Sequence, residues 1–287
     1  MSSLKDSKKE RLFYIEYLAL FTGQVSRKDL VNRFGISDAA ATKDISNYVK
    51  LAPEFLNYDL RKKKYIATDI TKRHFESHDV EQSLYSLAGE RTVTEGIGCV
   101  KLLSNRINNS IIKTQSLEIT SIITRCIFQN KQITAKYYSM DKGNKERTLS
   151  PLGLIHDGMR WIIRCFDHDS DKFKDYNLER FTKVEYKGTS KIQLSNDEEW
   201  NANVTVKLIP HPNAEHPETI LKDFIVTANN IIELKLKVCQ VGFFLRFWNV
   251  DCTTDARMDP EFYQLYLSNR DELSSNGVSK WSLDNQK

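Results

Sequence analysis

Gly35 lies between two short segments whose apolar residues recur with helical spacing, and this arrangement limits the fold strongly. Ser26 predicts the start of the first segment, because Asp29 follows three residues later, in the position of a capping-box acid. Ser37 predicts the start of the second segment, which Pro53 ends. Glycine suits the sharp turn between them because it readily adopts a positive φ. The pattern predicts a helix-turn-helix, preceded by a helix over residues 8–22.

The second segment of this motif divides into an apolar face and a polar face. Ala41, Ile45 and Val49 are expected to point inward. On the other face, lysines could contact phosphates, amides and hydroxyls could contact base edges, and small side chains could contact thymine methyl groups. The candidate DNA-binding residues on this segment are Ser37, Ala39, Thr42, Lys43, Ser46, Asn47 and Lys50.

Two strand-prone stretches follow, at residues 55–60 and 65–67, with a basic run between them. The run consists of Arg61, Lys62, Lys63 and Lys64. Its position after a helix-turn-helix favours the tip of a wing hairpin that contacts DNA, whereas a solvated loop or a localisation signal is the alternative.

Charge is concentrated in the same part of the chain. Residues 1–75 contain 15 lysines and arginines against 9 aspartates and glutamates, a net charge of +6, so the remainder carries −2 of the total of +4. This distribution favours a polyanion as the partner of the N-terminal region, although a solvated basic surface would have the same composition.

Composition excludes several other classes of protein. No run approaches the roughly 20 apolar residues of a membrane helix, and the polar first ten residues predict no signal peptide. Five scattered cysteines argue against a disulfide framework and a zinc ribbon, so a cytoplasmic location without metal or cofactor is expected. The sequence has no phosphate loop, dinucleotide fingerprint or nucleophile motif, and no catalytic residue is predicted.

The pattern of apolar and polar residues changes twice in the rest of the chain. Residues 71–116 predict a helical connector, and residues 117–196 predict a helix followed by a small, strongly bent β-sheet or a partly open barrel. Residues 197–287 predict a C-terminal α/β extension with strands at 201–209, 219–226 and 231–238, a short helix at 260–267 and a loose tail. With a winged helix-turn-helix over residues 1–70, the expected fold is an α+β multidomain protein.

Three segments of the bent-sheet region resemble the WYL-domain family of bacterial regulators. They are Ser-Pro-Leu-Gly-Leu at 150–154, Arg-Trp-Ile-Ile at 160–163 and Asn-Leu-Glu-Arg-Phe at 177–181. Ile162 stands where that family has its namesake tyrosine, so a role that needs the tyrosine hydroxyl is not implied here. The order of the domains is most similar to that of the BrxR- and CapW-type repressors found beside phage-defence gene clusters.

This resemblance implies a ligand pocket for a nucleotide or a short nucleic acid, and dimerisation through the C-terminal extension. Arginine side chains suit such a ligand because a guanidinium contacts phosphate oxygens in a bidentate manner. The alternative is that these arginines pair with Asp167, Glu179 or similar acids and only stabilise the sheet. The pocket residues implied by the resemblance are Tyr138, Ser150, His156, Arg160, Arg164 and Arg180.

The expected function is therefore a sequence-specific transcriptional regulator that represses a phage-defence gene cluster. A homodimer would bind a double-stranded DNA operator with an inverted repeat, because a two-fold axis in the protein requires one in the DNA. One alternative is a nucleotide-processing enzyme or accessory factor tethered to DNA by its N-terminal head. Another is a structural adaptor with a degenerate head.

Overall fold

The computed structural model of the protein describes residues 2–75, 78–87 and 113–284. The chain forms two compact units: Met1–Leu154 with Ile163–Lys191, and Ile155–Ile162 with Ile192–Lys287. No helix in these described ranges has the length and apolarity needed to cross a membrane. The α+β multidomain fold expected from the sequence is confirmed, with helices and several small sheets.

The first unit begins with the predicted helix-turn-helix. Helix α1 spans Ser2–Thr22, so it starts earlier than predicted, and it is followed by β1 (Gln24–Val25), α2 (Arg27–Phe34) and α3 (Asp38–Leu51). Gly35 ends α2 in the left-handed conformation with φ 64°. Asp29 Oδ2 accepts hydrogen bonds from the Ser26 N–H and hydroxyl, each at 2.7 Å, which confirms the predicted acidic partner at the start of α2.

The predicted wing is also present, as strands β2 (Leu56–Asp59) and β3 (Lys64–Ala67). The sequence did not predict that β1 would add a third strand, giving the order β1-β3-β2. Gln24 pairs with Ile66 and Val25 with Tyr65. This sheet closes a small core of fully buried residues, among them Leu20 of α1, Leu30 of α2, Ile45 and Tyr48 of α3, and Phe55, which precedes β2.

Part of the predicted connector lies outside the described residues. Within them, a 3₁₀ turn (Ile70–Lys72) and α4 (Val80–Leu87) follow the wing. Leu84 of α4 is fully buried, and the Tyr17 hydroxyl donates to the Ser83 carbonyl at 3.1 Å, so α4 packs against α1. The other predicted apolar positions of the connector, Ile97, Val100, Leu102, Leu103, Ile107 and Ile111, are not among the described residues.

The bent-sheet region starts with helix α5 (Leu117–Gln129). Five strands follow: β4 (Lys131–Ser139), β5 (Gly143–His156), β6 (Trp161–Asp167), β7 (Lys172–Asn177) and, after a 3₁₀ turn (Leu178–Arg180), β8 (Phe181–Thr189). Their order is β7-β6-β5-β4-β8, so the sheet as described has two edges and is not a closed barrel. Register shifts at Gln132/Ile133 and Lys136/Tyr137 disturb the pairing of β4 with β8, which is how a β-bulge bends a sheet.

The second unit contains the C-terminal extension and the tip of the β5–β6 hairpin. Strand β9 (Asn203–Pro210) lies between β10 (Ile232–Lys237) and β11 (Leu265–Leu267). Its helices are α6 (Glu198–Asn201), α7 (Pro217–Ile220), α8 (Val238–Phe247), α9 (Arg270–Ser275) and α10 (Lys280–Leu283), with 3₁₀ turns at Leu194–Asn196 and Leu221–Asp223. Strands β9 and β10 confirm two of the predicted strands.

Three sequence predictions for this unit were wrong. Residues 217–223 are helical rather than a strand, because Pro217 occupies the first turn of α7, where proline is favoured. Residues 265–267 form strand β11, which pairs with β9, instead of ending a helix. Residues 272–284 of the tail are ordered, since Leu273, Val278 and Leu283 are buried in the core of the unit.

Candidate nucleic-acid interface

Helix α3 presents the predicted DNA-binding residues on one side and the core on the other. The Ser37 side chain begins the helix by accepting a hydrogen bond from the Ala40 N–H at 3.2 Å. Ala41, Ile45 and Tyr48 are fully buried on the inner side. The outer side carries Asn47, which is half-buried, and six exposed residues: Ser37, Ala39, Thr42, Lys43, Ser46 and Lys50.

The turn between β2 and β3 holds the basic run at the tip of the wing. Asp59 Oδ1 accepts hydrogen bonds from the N–H groups of Arg61 at 2.9 Å and Lys62 at 3.0 Å. Lys63 completes the turn in the left-handed region with φ 53°. Arg61, Lys62 and Lys63 are exposed and Lys64 is half-buried, so the structure places these cations together at one end of the hairpin.

An acidic side chain of α3 is turned away from this basic surface. Asp44 is 4% exposed, and its Oδ2 lies 2.6 Å from Arg11 Nε of α1. Burial and pairing keep this negative charge from opposing a polyanion on the outer side of the helix. Helical spacing of apolar residues did not predict Asp44 as an inward residue.

Glu16 of α1 is the centre of a second buried contact with α3. Its side chain is fully buried and accepts hydrogen bonds from the Tyr48 hydroxyl, from the His74 N–H at 2.6 Å and from the Phe75 N–H at 3.1 Å. His78 Nε2 lies 2.7 Å from its Oε1. The network joins α1, α3 and the segment that follows the wing.

The pKa values of this network follow from its geometry. Burial alone would raise the pKa of Glu16, but the hydrogen bonds from His78, Tyr48, Phe75 and His74 outweigh it, so the pKa is lowered. The pKa of Tyr48 is raised by burial and by its bond to the Glu16 carboxylate. Glu16 is therefore an anion, compensated by donors on three sides. In the sequence, the sign of this network is a polar residue, Glu16, at an inward position of a helix. Helical periodicity alone indicates such a residue only as an interruption of the apolar face.

Two of the predicted pocket residues are buried in the first unit. Ser150 is fully buried, and its Oγ lies 2.8 Å from His168 Nε2 and 2.8 Å from Ser190 Oγ. Arg164 is 2% exposed, and its Nη1 donates to Asp175 Oδ1 at 3.2 Å. The Ser150 hydroxyl and the Arg164 guanidinium are therefore paired with other residues of the protein. For Arg164, pairing with an acid is the sheet-stabilising alternative expected from the sequence.

Tyr138 and Arg180 have more accessible positions in this unit. Tyr138 is 51% exposed, because it points away from the sheet face on which Tyr137 is buried. Arg180 is half-buried at the end of the 3₁₀ turn before β8. Asp167, one of the acids expected to pair with an arginine, lies 3.9 Å from Arg147 Nη1 and 3.0 Å from Lys174 Nζ.

The remaining pocket residues belong to the second unit. The His156 ring lies against the Trp161 ring with centroids 4.9 Å apart, and Arg160 Nε lies 3.3 Å from Asp157 Oδ2. Ile162, at the position of the family's tyrosine, is 2% exposed and belongs to a core cluster with Ile155 and Cys239. The structure thus places the predicted DNA-binding residues on the outer side of α3 and at the tip of the wing, whereas the predicted pocket residues have several different environments.

Comparison with known proteins covers all three parts of the chain. The family model for the BrxR transcriptional regulator winged helix-turn-helix domain matches residues 7–89, the model for the WYL domain matches 118–186, and the model for the BrxR transcriptional regulator C-terminal dimerization domain matches 203–273. These matches confirm the resemblance inferred from the sequence.

Curated relatives match most of the chain. The DNA-binding transcriptional repressor CapW of Pseudomonas aeruginosa is 33% identical over 278 residues, which are 92% of this chain and 89% of that protein. CapW of Escherichia coli is 28% identical over the same shares. Among solved structures, proteasome accessory factor B/C of Arthrobacter aurescens is 13% identical and covers 95% of this chain and 48% of that one, with a TM-score of 0.25, too low for a structural inference. On the identity and coverage of its relatives, the chain belongs to the CapW family of DNA-binding transcriptional repressors.

Proposed function

We propose that the chain is a sequence-specific DNA-binding repressor that reads DNA with the outer side of α3. The observation that carries this proposal is that six polar or small residues at the start and on the outer side of α3, and three basic residues of the wing, are exposed within one compact unit. The family supports the same function, because its members are named DNA-binding transcriptional repressors.

The chemistry of the surface divides its residues by role. Lys43, Lys50 and the basic run at 61–64 supply charge for phosphates, which determines affinity and its dependence on salt. Ser46 and Asn47 supply groups for base edges, while Ala39 and Thr42 suit thymine methyl groups.

Asn47 is the strongest candidate for reading a base. Its Nδ2 is buried and has no hydrogen-bond partner. An asparagine amide matches the N6 and N7 positions of adenine, so rotation of this amide toward a base edge would give its donor a partner. This favours Asn47 as a specificity residue rather than a phosphate contact.

A homodimer and an inverted-repeat operator complete the proposal. The second unit matches a C-terminal dimerization domain, and its described residues include four exposed large aromatic side chains: Phe247 at 49%, Trp248 at 47%, Phe262 at 69% and Trp281 at 58%. Exposed aromatic surface of this kind favours association. Two heads related by a two-fold axis would bind half-sites about 34 Å apart, or a multiple of this spacing.

Association can be tested by light scattering on the full chain. We expect Trp248→Ser and Trp281→Ser together to shift the dimer toward monomer, and Phe128→Ser, which removes an exposed aromatic residue in the other unit, to leave it unchanged. A dimer that persists at the same dilution in the double variant would contradict this part of the proposal.

The finer parts of the function concern regulation. We propose that the repressed genes form a phage-defence cluster and that a nucleotide or short nucleic acid binds the WYL domain. Because Ser150 and Arg164 are buried, the predicted residues left for such a ligand within the first unit are Tyr138 and Arg180. Arg180→Ala should preserve operator binding and abolish its response to added mononucleotides or short single strands.

Selection of bound sequences from a random DNA pool tests the main proposal. The chain should enrich an inverted repeat, and Asn47→Ala should lose preference at one position in each half-site while keeping the others. Asn144→Ala, which removes an exposed amide at the β4–β5 turn, is the matched control. Failure to enrich any sequence, or an identical motif from Asn47→Ala, would contradict the proposal. Turnover of nucleotides by the purified chain would instead favour a tethered enzyme.

A further inference from the structure

The C-terminal end of α1 is held by two side chains of α5. Arg125 Nε donates to the Leu20 carbonyl at 2.6 Å and its Nη2 donates to the Ala19 carbonyl at 3.1 Å. Gln129 Nε2 donates to the Thr22 carbonyl at 2.9 Å. The last carbonyls of a helix lack partners within the helix and form the negative end of its dipole, so a guanidinium is well suited to bind them.

The contact is close enough to depend on a glycine. Gly23, directly after α1, has φ 79°, and a Cβ atom built on it would lie 2.2 Å from Gln129 Nε2. Burial lowers the pKa of Arg125 to about 10, which still leaves the guanidinium charged at neutral pH. This charged contact joins the helix-turn-helix directly to the WYL-domain region within one compact unit.

Nearer to its N-terminus, α1 contacts α3, the recognition helix of the proposed function. Arg11 pairs with Asp44, and Glu16 accepts from Tyr48, so both contacts reach α3 at positions one turn apart. Buried charged contacts of this kind specify geometry, because either partner left alone would be an uncompensated buried charge. The orientation of α3 is therefore set by α1.

The α5 end of the contact is tied to the sheet in turn. Asn130, which ends α5, accepts from the Ser190 N–H at 3.0 Å and donates to the Ser190 carbonyl at 3.3 Å. Ser190 Oγ lies 2.8 Å from Ser150 Oγ, which lies 2.8 Å from His168 Nε2 in the turn after β6. Hydrogen bonds thus connect the sheet to α5, and α5 to α1.

We propose that α1 acts as a rigid lever through which the WYL-domain region positions the recognition helix, with Arg125 and Gln129 as the positioning residues. The proposal rests on the proposed DNA-binding function of α3. Arg11 and Leu20 are nine residues apart on α1, or about 14 Å at 1.5 Å per residue. A tilt of about 4° at the α5 contact would move α3 by about 1 Å, which exceeds the roughly 0.5 Å that a precise polar site tolerates.

The test compares Arg125→Met with the wild type as full chains. Methionine keeps an apolar stem and removes the guanidinium. The affinity for the selected operator relative to random DNA should fall at least tenfold, while the affinity for random DNA stays within twofold. Arg125→Lys should recover part of the ratio, because one ammonium can still reach a carbonyl. Lys136→Met, which removes an exposed cation from β4, should leave the ratio unchanged.

Hydrogen exchange without DNA provides a second measurement. Amides of residues 44–48 should exchange faster in Arg125→Met, and in Gln129→Ala if the arginine variant does not fold. Unchanged exchange at 44–48 in a folded variant, or an unchanged ratio of specific to random binding, would overturn the lever. A wild type without any preferred sequence would overturn the proposed function instead, and the exchange measurement would then decide the lever alone.

Discussion

The wing gives the sharpest quantitative prediction, because its lysines can be removed without disturbing the hairpin. Lys62 and Lys63 are exposed, and the turn is held by backbone N–H groups that donate to Asp59 rather than by the lysine side chains. Alanine adopts the positive φ of residue 63 no less readily than lysine does. Lys62→Ala combined with Lys63→Ala should therefore change the charge of the tip and preserve the fold.

The magnitude follows from counterion release. Each phosphate neutralised on duplex DNA contributes about −0.9 to the slope of log K against log salt concentration. Two lysines in each head make four in a dimer, so the slope should become less steep by about 3.6. Between 50 and 200 mM salt, the wild type should lose about 150-fold more affinity than the variant.

Fluorescence anisotropy on the selected operator and on a random duplex measures these slopes. The change should be the same for both DNAs, since phosphate contacts carry no sequence information directly. Lys142→Ala combined with Lys145→Ala is the matched control, because it removes two exposed lysines from another hairpin of the same unit. An unaltered slope for the wing variant, or an equal change for the control, would refute the assignment of the wing to the DNA backbone.

Three further predictions concern the fold. Gly35→Ala should lower the free energy of unfolding by about 1 kcal/mol in urea titrations, because φ is 64° while the surrounding space is empty, and a Gly35→Asn variant should be less affected. Leu273→Ala should cost about 2–5 kcal/mol by thermal unfolding, since Leu273 is fully buried, and no loss would mean that the tail is loose after all. Asp167 has a pKa of about 2: burial would raise it, but hydrogen bonds from Lys174, Tyr176 and the Asp169 N–H outweigh that effect. Its stabilisation, on the order of 2 kcal/mol, is present above the unfolded pKa near 4 and is lost as the pH falls through about 2. Asp167→Asn should therefore be less stable than the wild type at pH 7, with a difference that disappears by about pH 2.

The sequence by itself determined the helix-turn-helix and the wing because their signals are local. Ser26, Gly35 and Ser37 each act on a backbone group within four residues, so a cap or a positive φ can be read without knowing the fold. The same locality allowed the outer side of α3 to be predicted residue by residue. Strands β9 and β10 were predictable because their alternation reflects one buried face.

Tertiary structure decided whatever depends on a partner distant in the sequence. The polar groups of Asp44 and Tyr48 are stabilised on the inward side of α3 because Arg11 of α1 supplies a positive charge and Glu16 of α1 a hydrogen-bond acceptor there. The tail is ordered because Leu273 and other sparsely spaced apolar residues fill a core made by other strands, which no local pattern reveals. The pairing of Arg164 with Asp175 likewise depended on how strands β6 and β7 lie beside each other. Periodicity indicates which side of an element is buried, whereas compensation of a buried charge depends on distance in space, and only the folded chain determines that distance.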